Sequence, residues 1–208
     1  MIDLLVERVR AMAGSGRVVI GICGIPGAGK TTLAREMVAR LETHGTPAAH
    51  LPMDGFHLRA ATLAARGATD RKGAPDTYDV DGYLALLRQV RSGFGMAVWA
   101  PDYDREVHDV VARRLLIHPQ ARAIVTEGNY LGLAEGPWAA TRPLLSELWG
   151  VETPWEVARE RLIERRVTTG RDRDDAVAWV DTVDAANAAL VLPSLERADV
   201  LIGADELE

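Results

Sequence analysis

The sequence is poor in cysteine and in long apolar runs, and each scarcity excludes a class of protein. Its 208 residues include one cysteine, Cys23, so no internal disulfide can form and a reducing, cytoplasmic compartment is expected. No apolar run approaches the roughly 18 residues that span a bilayer. Charged residues at positions 3, 7 and 8 interrupt the N-terminal segment where a signal peptide needs apolar ones. We therefore expect an enzyme-sized domain with no membrane partner.

Lysine is also scarce, and arginine carries almost all of the positive charge. The formal net charge is −6, which argues against a nucleic-acid partner, because general affinity for nucleic acid needs clustered positive charge. Of the 24 basic residues only Lys30 and Lys72 are lysine. A GC-rich genome explains many arginines, yet a remaining lysine is expected where a compact ammonium group is required.

Apolar periodicity predicts alternating helices and strands. Helical spacing covers residues 2–13, 31–43, 81–91, 155–169 and 174–190. Short apolar runs predict strands at 17–23, 47–53, 123–126, 148–152 and 199–202, with further short strands within 97–117. This alternation predicts one α/β domain over residues 1–208, with a mostly parallel central sheet. The polar stretch 54–80 is interpreted as a functional excursion, because long loops in compact domains seldom lack a role.

A glycine-rich segment after the first predicted strand matches G-x-x-x-x-G-K-[ST] without a mismatch. It follows a buried run and opens a helix, so backbone N–H groups and the helix N-terminus would surround phosphate oxygens. Lys30 would bridge the β- and γ-phosphates of ATP, and the Thr31 hydroxyl would bind Mg²⁺. The predicted nucleotide-binding residues are Gly24, Pro26, Gly27, Ala28, Gly29, Lys30, Thr31 and Thr32.

Two further features narrow the class of nucleotide enzyme. A GTPase would need a guanine-reading N-K-x-D segment, and the sequence contains none. Oligomeric ATPases usually end the equivalent strand in Asp-Glu, whereas here Glu127 stands alone before glycine. An acid at the carboxyl end of a central strand faces the ligand crevice of an open α/β sheet. Glu127 is therefore expected to hold Mg²⁺ or a substrate hydroxyl.

Five segments resemble the P-loop small-molecule kinases, a group that includes uridine kinase, bacterial pantothenate kinase and phosphoribulokinase. In chain order they are Pro52-Met-Asp-Gly-Phe-His57, Arg71-Lys-Gly-Ala-Pro-Asp-Thr-Tyr-Asp79, Ala100-Pro-Asp-Tyr-Asp-Arg105, Thr126-Glu-Gly-Asn-Tyr130 and Arg161-Leu-Ile-Glu-Arg-Arg166. The chain looks most like bacterial proteins named nucleoside/nucleotide kinases or fructose-transport-system kinases. The resemblance implies a three-layer P-loop fold with a helical lid and ATP- and Mg²⁺-dependent phosphorylation of a small-molecule hydroxyl.

The acceptor and the assembly stay open at this point. A sugar or a nucleoside is favoured, while the RKG-x-P-x-x-YD segment keeps pantothenate as an alternative. A P-loop ATPase that switches a protein partner is the alternative from another class. For the assembly, a homodimer is the alternative to a single copy of the chain.

The resemblance also implies a substrate site. Asp54 would accept the proton of the acceptor hydroxyl, and Asp76 would hold sugar hydroxyls. His57 replaces a tyrosine of uridine kinases, so it either hydrogen-bonds the substrate or packs in the interior. The remaining candidates for substrate contact are Arg71, Lys72, Tyr103, His108, Glu127, Asn129 and Tyr130.

An arginine-rich segment at 159–173 corresponds to the mobile lid of these kinases. Arg161 and Arg165 repeat at a spacing of four, as do glutamates at 156, 160 and 164, and like charges at this spacing do not stabilise a helix. The resemblance implies that Arg161 and Arg165 neutralise charge on the transferred group, with Arg166 and Arg171 binding nucleotide. Trp179 is interpreted as a core residue.

Overall fold

The computed structural model describes residues 1–93, 96–104, 107 and 109–203. The α-helices are α1 Ile2–Ala13, α2 Lys30–Thr43, α3 Ala60–Ala65, α4 Val80–Ser92, α5 Trp155–Thr168, α6 Arg173–Trp179 and α7 Ala185–Val191. The strands are β1 Val18–Gly24, β2 Ala48–Pro52, β3 Val98–Asp104, β4 Asp109–Ile117, β5 Ala123–Glu127, β6 Glu147–Glu152 and β7 Val200–Gly203. A π-helical turn, Val180–Asp184, joins α6 to α7.

Five strands form a parallel sheet in the order β2-β5-β1-β6-β7. Every residue of the central strand β1 is buried, as expected for a strand covered on both faces. In the register, Glu127 lies opposite Pro52 on one side and Ile22 on the other. The segments that follow β1, β2 and β5 therefore begin at the same edge of the sheet.

Helices cover both faces of this sheet, giving the expected three-layer α/β fold. Helix α1 packs against α2 and β1, and α4 is tied to β5 by a 2.8 Å hydrogen bond between the Tyr83 and Thr126 hydroxyls. Cys23 is fully buried, and burial raises the pKa of its thiol to about 11, in keeping with a packing role. Among the described residues, no helix combines the length and apolar character that a membrane crossing requires.

The hairpin of β3 and β4 forms a separate antiparallel sheet. Its register shifts between Ala100 and Asp102, around Pro101. The hairpin packs on the short 3₁₀ turn Met53–Phe56 that follows β2. The two backbones are so close that a Cβ on Gly55 would lie 2.3 Å from the Pro101 carbonyl oxygen, so this position requires glycine. The hairpin thus lies over the segment that carries Asp54.

Most predicted elements are confirmed within one or two residues, with two differences. Helix α3 and several 3₁₀ turns lie inside the stretch 54–80, which was expected to lack regular structure. The helix predicted at 174–190 is divided into α6, the π-helical turn and α7. A π-turn widens the helix over a few residues only. The helices on either side keep their own apolar spacing, so the sequence pattern does not reveal the turn.

Candidate active site

The phosphate loop joins β1 to α2 and is shaped by two glycines. Gly27 has φ 80° and Gly29 has φ 91°, a left-handed conformation that side-chain-bearing residues rarely adopt. A Cβ on Gly27 would also lie 2.6 Å from the Ala158 carbonyl oxygen of α5. The loop therefore needs glycine at 27 both for its backbone shape and for its close contact with α5.

Lys30 is the first residue of α2, and its side chain folds back along the loop. Its Nζ donates a 2.8 Å hydrogen bond to the Ile25 carbonyl oxygen. Burial lowers the pKa of Lys30, while the carboxylates of Glu127 and Asp54 oppose that shift. The ammonium group is thus held beneath the loop, between its backbone and the two acids of the site.

Glu127 ends β5 beside the start of α2 and is buried. Its Oε1 accepts a 3.0 Å hydrogen bond from the Thr31 hydroxyl and lies 3.5 Å from Nε2 of His50. Burial alone would raise the pKa of Glu127. The neighbouring His50 and Lys30 outweigh this effect and hold its pKa below the usual value.

The paired oxygens of Thr31 and Glu127 suit a magnesium ion. Mg²⁺ prefers hard oxygen ligands and is usually bound through one or two protein groups together with substrate phosphates and water. A hydroxyl and an ionised carboxylate, 3.0 Å apart at the end of a phosphate loop, meet that requirement. The donor set therefore fits the expected metal.

A cavity of about 320 Å³ opens beyond these residues. Thr31, Asp54 and Glu127 line one side of it, and we name it the Asp54 cavity. The hairpin supplies the opposite wall, through Asp102, Tyr103, Asp104 and Arg114. Asp54 is about one-third exposed, so its carboxylate is accessible to a molecule in the cavity.

A second cavity of about 590 Å³ lies on the other side of the phosphate loop. Its wall includes Ile25 of the loop, Val157 and Arg161 of α5, and Gly203 at the end of β7, and we name it the Arg161 cavity. The next lid arginine, Arg165, is close enough for its charge to lower the pKa of Lys30. Helix α5 therefore presents Arg161 and Arg165 toward the loop.

Comparison with known proteins identifies the family. The model of the phosphoribulokinase/uridine kinase family matches residues 19–205. The chain belongs to this family. Uncharacterized protein YggC of Escherichia coli (strain K12) is 35% identical over 188 residues, covering 89% of this chain and 77% of that protein. The putative uridine kinase C227.14 of Schizosaccharomyces pombe is 28% identical, covering 96% and 88%.

The solved structures agree with this assignment. A putative fructose transport system kinase from Silicibacter sp. TM1040 superposes with a TM-score of 0.87 at 30% identity, covering 97% of this chain and 98% of that one. The protein is an enzyme, a small-molecule kinase with the P-loop fold. Family membership also implies that the kinase uses ATP.

Several predicted substrate contacts are engaged within the protein. Arg71 forms an exposed ion pair with Asp76, and neither residue lines the Asp54 cavity. The Lys72 ammonium lies 3.0 Å from the Tyr103 hydroxyl and 4.9 Å from the centre of its ring. Tyr103 lines the cavity, so Lys72 reaches the site through this tyrosine. The predicted contact at His108 lies outside the described residues.

Two further predicted substrate contacts, Tyr130 and Asn129, do not line the Asp54 cavity. Tyr130 is fully buried among aromatic rings, and its hydroxyl donates to the Gly73 carbonyl oxygen. Tyr130 therefore anchors the 54–80 segment, and its prediction as a substrate contact is corrected to a structural role. The neighbouring Asn129 is half-buried and is absent from the residues lining the Asp54 cavity.

His57 packs in the interior while staying near Asp54. Its ring stacks on Tyr78 with centroids 4.1 Å apart, and its Nε2 lies 3.9 Å from Oδ1 of Asp54. Burial lowers the pKa of His57 to about 4, so the imidazole is neutral near pH 7. Of the two alternatives for His57, the geometry favours packing.

The two arginines predicted to bind nucleotide, Arg166 and Arg171, contact other side chains of the kinase. Arg166 forms a 2.9 Å ion pair with Asp184 of the π-helical turn. Its guanidinium also lies 5.2 Å from the Trp179 ring centre, and that of Arg171 lies 5.6 Å from the same ring. Trp179 was interpreted as core, but it is half-buried with two arginines against its ring.

The other residues that line the Asp54 cavity were not named as site candidates from the sequence. They are Arg35, His50, Pro52, Asp102, Asp104 and Arg114, although Pro52, Asp102 and Asp104 lie within the quoted segments. Arg35 lies one helical turn after Thr31, so helical spacing could have identified it. Nothing in the sequence marks His50, which occupies an ordinary position on β2.

Proposed function

We propose that this kinase transfers the γ-phosphoryl group of ATP to a hydroxyl of a sugar or nucleoside. The observation that carries the proposal is the shared cavity of Asp54, Thr31 and Glu127. An acid that can receive a proton there lies next to the predicted metal-binding pair. The cavity also leaves space for a small molecule between the phosphate loop and the hairpin.

The two cavities support separate places for donor and acceptor. The phosphate loop contributes Ile25 to the Arg161 cavity and its terminal Thr31 to the Asp54 cavity. Apolar residues such as Ile25 and Val157 suit a nucleobase, since small-molecule pockets are mostly apolar with few polar groups. In this arrangement the base occupies the Arg161 cavity, the triphosphate follows the loop, and the acceptor enters the Asp54 cavity.

The phosphate loop and the paired oxygens would position the triphosphate. Backbone N–H groups of the loop and the N-terminus of α2 bind phosphate oxygens, and Lys30 adds a positive charge beneath them. Thr31 and Glu127 would hold Mg²⁺, which when bound neutralises charge on the β- and γ-phosphate oxygens. These groups are preformed, so little reorganisation accompanies the transfer.

Asp54 and the lid arginines would complete the reaction. Asp54 orients the acceptor hydroxyl and accepts its proton as the oxygen–phosphorus bond forms. Arg161 and Arg165 lie on α5 near the phosphate loop. Their positive charge would stabilise the γ-phosphoryl group during its transfer. Most of the acceleration would come from positioning and charge neutralisation.

A panel of acceptors tests the proposal. Release of ADP is measured with sugars, nucleosides and pantothenate, and the product is identified by mass spectrometry. Strong stimulation by one sugar or nucleoside, with a product heavier by one phosphoryl group, is expected. Stimulation by pantothenate alone would favour the pantothenate kinase alternative. Stimulation by a protein partner with no phosphorylated small molecule would overturn the proposal.

Substitution of Asp54 tests the general base separately. Asp54→Asn keeps the size of the side chain but cannot take up the proton, so turnover should fall at least about 100-fold. Affinity for ATP should stay unchanged, because Asp54 is not part of the loop. Asp70→Asn, an exposed acid in the same segment, serves as the matched control. An Asp54→Asn variant with normal turnover would show that the proton goes elsewhere.

A further inference from the structure

His50 lies in the middle of β2 and takes part in both the sheet and the site. Its backbone pairs in register with Val125, two residues before Glu127 on the neighbouring strand. Its imidazole lines the Asp54 cavity and brings Nε2 to 3.5 Å from Oε1 of Glu127. The side chain is mostly buried, with 14% of its surface exposed.

The Nε2 atom of His50 lacks a satisfied hydrogen bond. Within the described part of the chain it is shielded from solvent and makes no hydrogen bond. Buried polar atoms are almost always paired, so an orphaned one indicates a missing partner or a bond that closes in another state. The nearest acidic oxygen, Glu127 Oε1, is a few tenths of an ångström beyond a good hydrogen bond.

The same oxygen of Glu127 also receives the Thr31 hydroxyl at 3.0 Å. Oε1 therefore lies within 3.5 Å of both the Thr31 hydroxyl and the His50 imidazole. Hydrogen bonds in active sites are often long without ligand and tighten when the site is occupied. A shift of the carboxylate toward β2 would complete the bond from His50 while Thr31 turns its oxygen toward a metal.

We propose that His50 is a positioning residue that orients Glu127 for the metal site. This inference rests on the proposed function, because it assigns Glu127 and Thr31 to Mg²⁺. The imidazole donates its Nε2 hydrogen to the carboxylate and prevents it from rotating out of line with Thr31. Outer groups of this kind commonly change metal affinity or activity by about 10- to 100-fold when they are removed.

The test compares donor and non-donor side chains at position 50. His50→Leu removes the N–H donor, and His50→Gln supplies an amide N–H donor at a similar distance from the backbone. His44→Leu is the control, since that histidine lies at the exposed end of α2. Binding of ADP is measured by calorimetry in MgCl₂ and in EDTA, together with the Mg²⁺ concentration that gives half-maximal turnover. Thermal melts establish that each variant is folded, and His50→Met replaces His50→Leu if the latter does not fold.

The expected result is a loss specific to the metal. His50→Leu should bind ADP like the unsubstituted kinase in EDTA, yet require about 10- to 100-fold more Mg²⁺ for half-maximal turnover. His50→Gln should recover most of that loss, and His44→Leu should show none. If His50 had a purely structural role, His50→Leu would lower the affinity for ADP in EDTA as well. His50→Gln would then not restore the Mg²⁺ requirement selectively.

Three results would overturn the inference. One is an unchanged Mg²⁺ requirement in His50→Leu, and another is a loss that His50→Gln does not restore. The third is a change confined to the KM of the acceptor, which would make His50 a substrate contact in the Asp54 cavity. Failure of the proposed function is distinguishable, because the acceptor panel detects it with the unsubstituted kinase, whereas the Mg²⁺ dependence of ADP binding is measured without an acceptor.

Discussion

Arg166 and Asp184 form a 2.9 Å ion pair that ties helix α5 to the π-helical turn. The pair is largely buried, with 19% and 11% of the two side chains exposed. Arg159 and Asp181 make a second link between the same elements, but these side chains are 37% and 44% exposed. Two ion pairs of similar chemistry thus join the same helices at different depths.

The difference in depth predicts a difference in stability. Asp184→Asn leaves Arg166 without its anionic partner in a partly buried position and should lower the free energy of unfolding by about 2 kcal/mol. Burial raises the pKa of Asp184 despite the charge of Arg166, which shows that the buried carboxylate is costly to keep ionised. A neutral amide avoids that cost, so the expected loss is smaller than the roughly 3–5 kcal/mol typical of breaking a buried ion pair. Urea unfolding measures the change.

The exposed pair supplies the control for this prediction. Asp181→Asn should cost less than about 1 kcal/mol, because water screens the charges of Arg159 and Asp181. Equal losses in the two variants would mean that the Arg166–Asp184 pair contributes no more than a surface contact.

The two lysines should respond differently to replacement by arginine. Lys30 is buried with its Nζ on the Ile25 carbonyl, where a guanidinium cannot fit, so Lys30→Arg should lower turnover by at least about 100-fold. Lys72 reaches the site through Tyr103, and Lys72→Arg should mainly raise the KM of the acceptor. Steady-state kinetics measures both effects.

An exposed arginine outside the site checks for general effects of such exchanges. Arg88→Lys on α4 should leave both kinetic constants unchanged. Normal kinetics in Lys72→Arg would show that the scarcity of lysine at that position reflects only the composition of the genome.

His57 should make the stability of the kinase depend on pH. Burial lowers its pKa to about 4 in the folded protein, against about 6.5 in an unfolded chain. Between these values the unfolded chain binds a proton that the folded protein does not, so stability falls as the pH decreases. This single group should remove about 2 kcal/mol between pH 7.5 and pH 5.

Comparison with a non-titrating side chain isolates that contribution. His57→Gln loses the stacking on Tyr78 at every pH, but its unfolding free energy should change less between pH 7.5 and pH 5. Urea unfolding at the two values gives both slopes. Identical slopes for the two proteins would mean that His57 takes up its proton equally in the folded and unfolded states.

The sequence predicts the elements of the fold well where spacing carries the information. The phosphate loop and the strands β1 and β5 follow from a strict motif and from continuous apolar runs. Helix α3 escaped prediction because six residues within a polar stretch are too few to establish a period. The π-helical turn escaped because one widened turn leaves the apolar pattern on either side intact.

Side-chain placement in the site was harder to predict than the elements that carry it. Thr31, Asp54 and Glu127 come together because the ends of parallel strands meet at one edge. Tyr130 follows Glu127 by three residues, but the turn after β5 carries it into the interior. His50 belongs to no motif, and its approach to Glu127 depends on the pairing of β2 with β5, which the sequence does not specify.

The hairpin of β3 and β4 has a consequence for how such kinases diversify. It supplies one wall of the Asp54 cavity yet forms a sheet of its own. Exchanging or lengthening it would reshape that wall without breaking the hydrogen bonds of the five-stranded sheet. The hairpin is therefore an exchangeable module: replacing it would change the wall of the Asp54 cavity, and with it the small molecule that fits, while the phosphate loop and the Thr31–Glu127 pair stay the same.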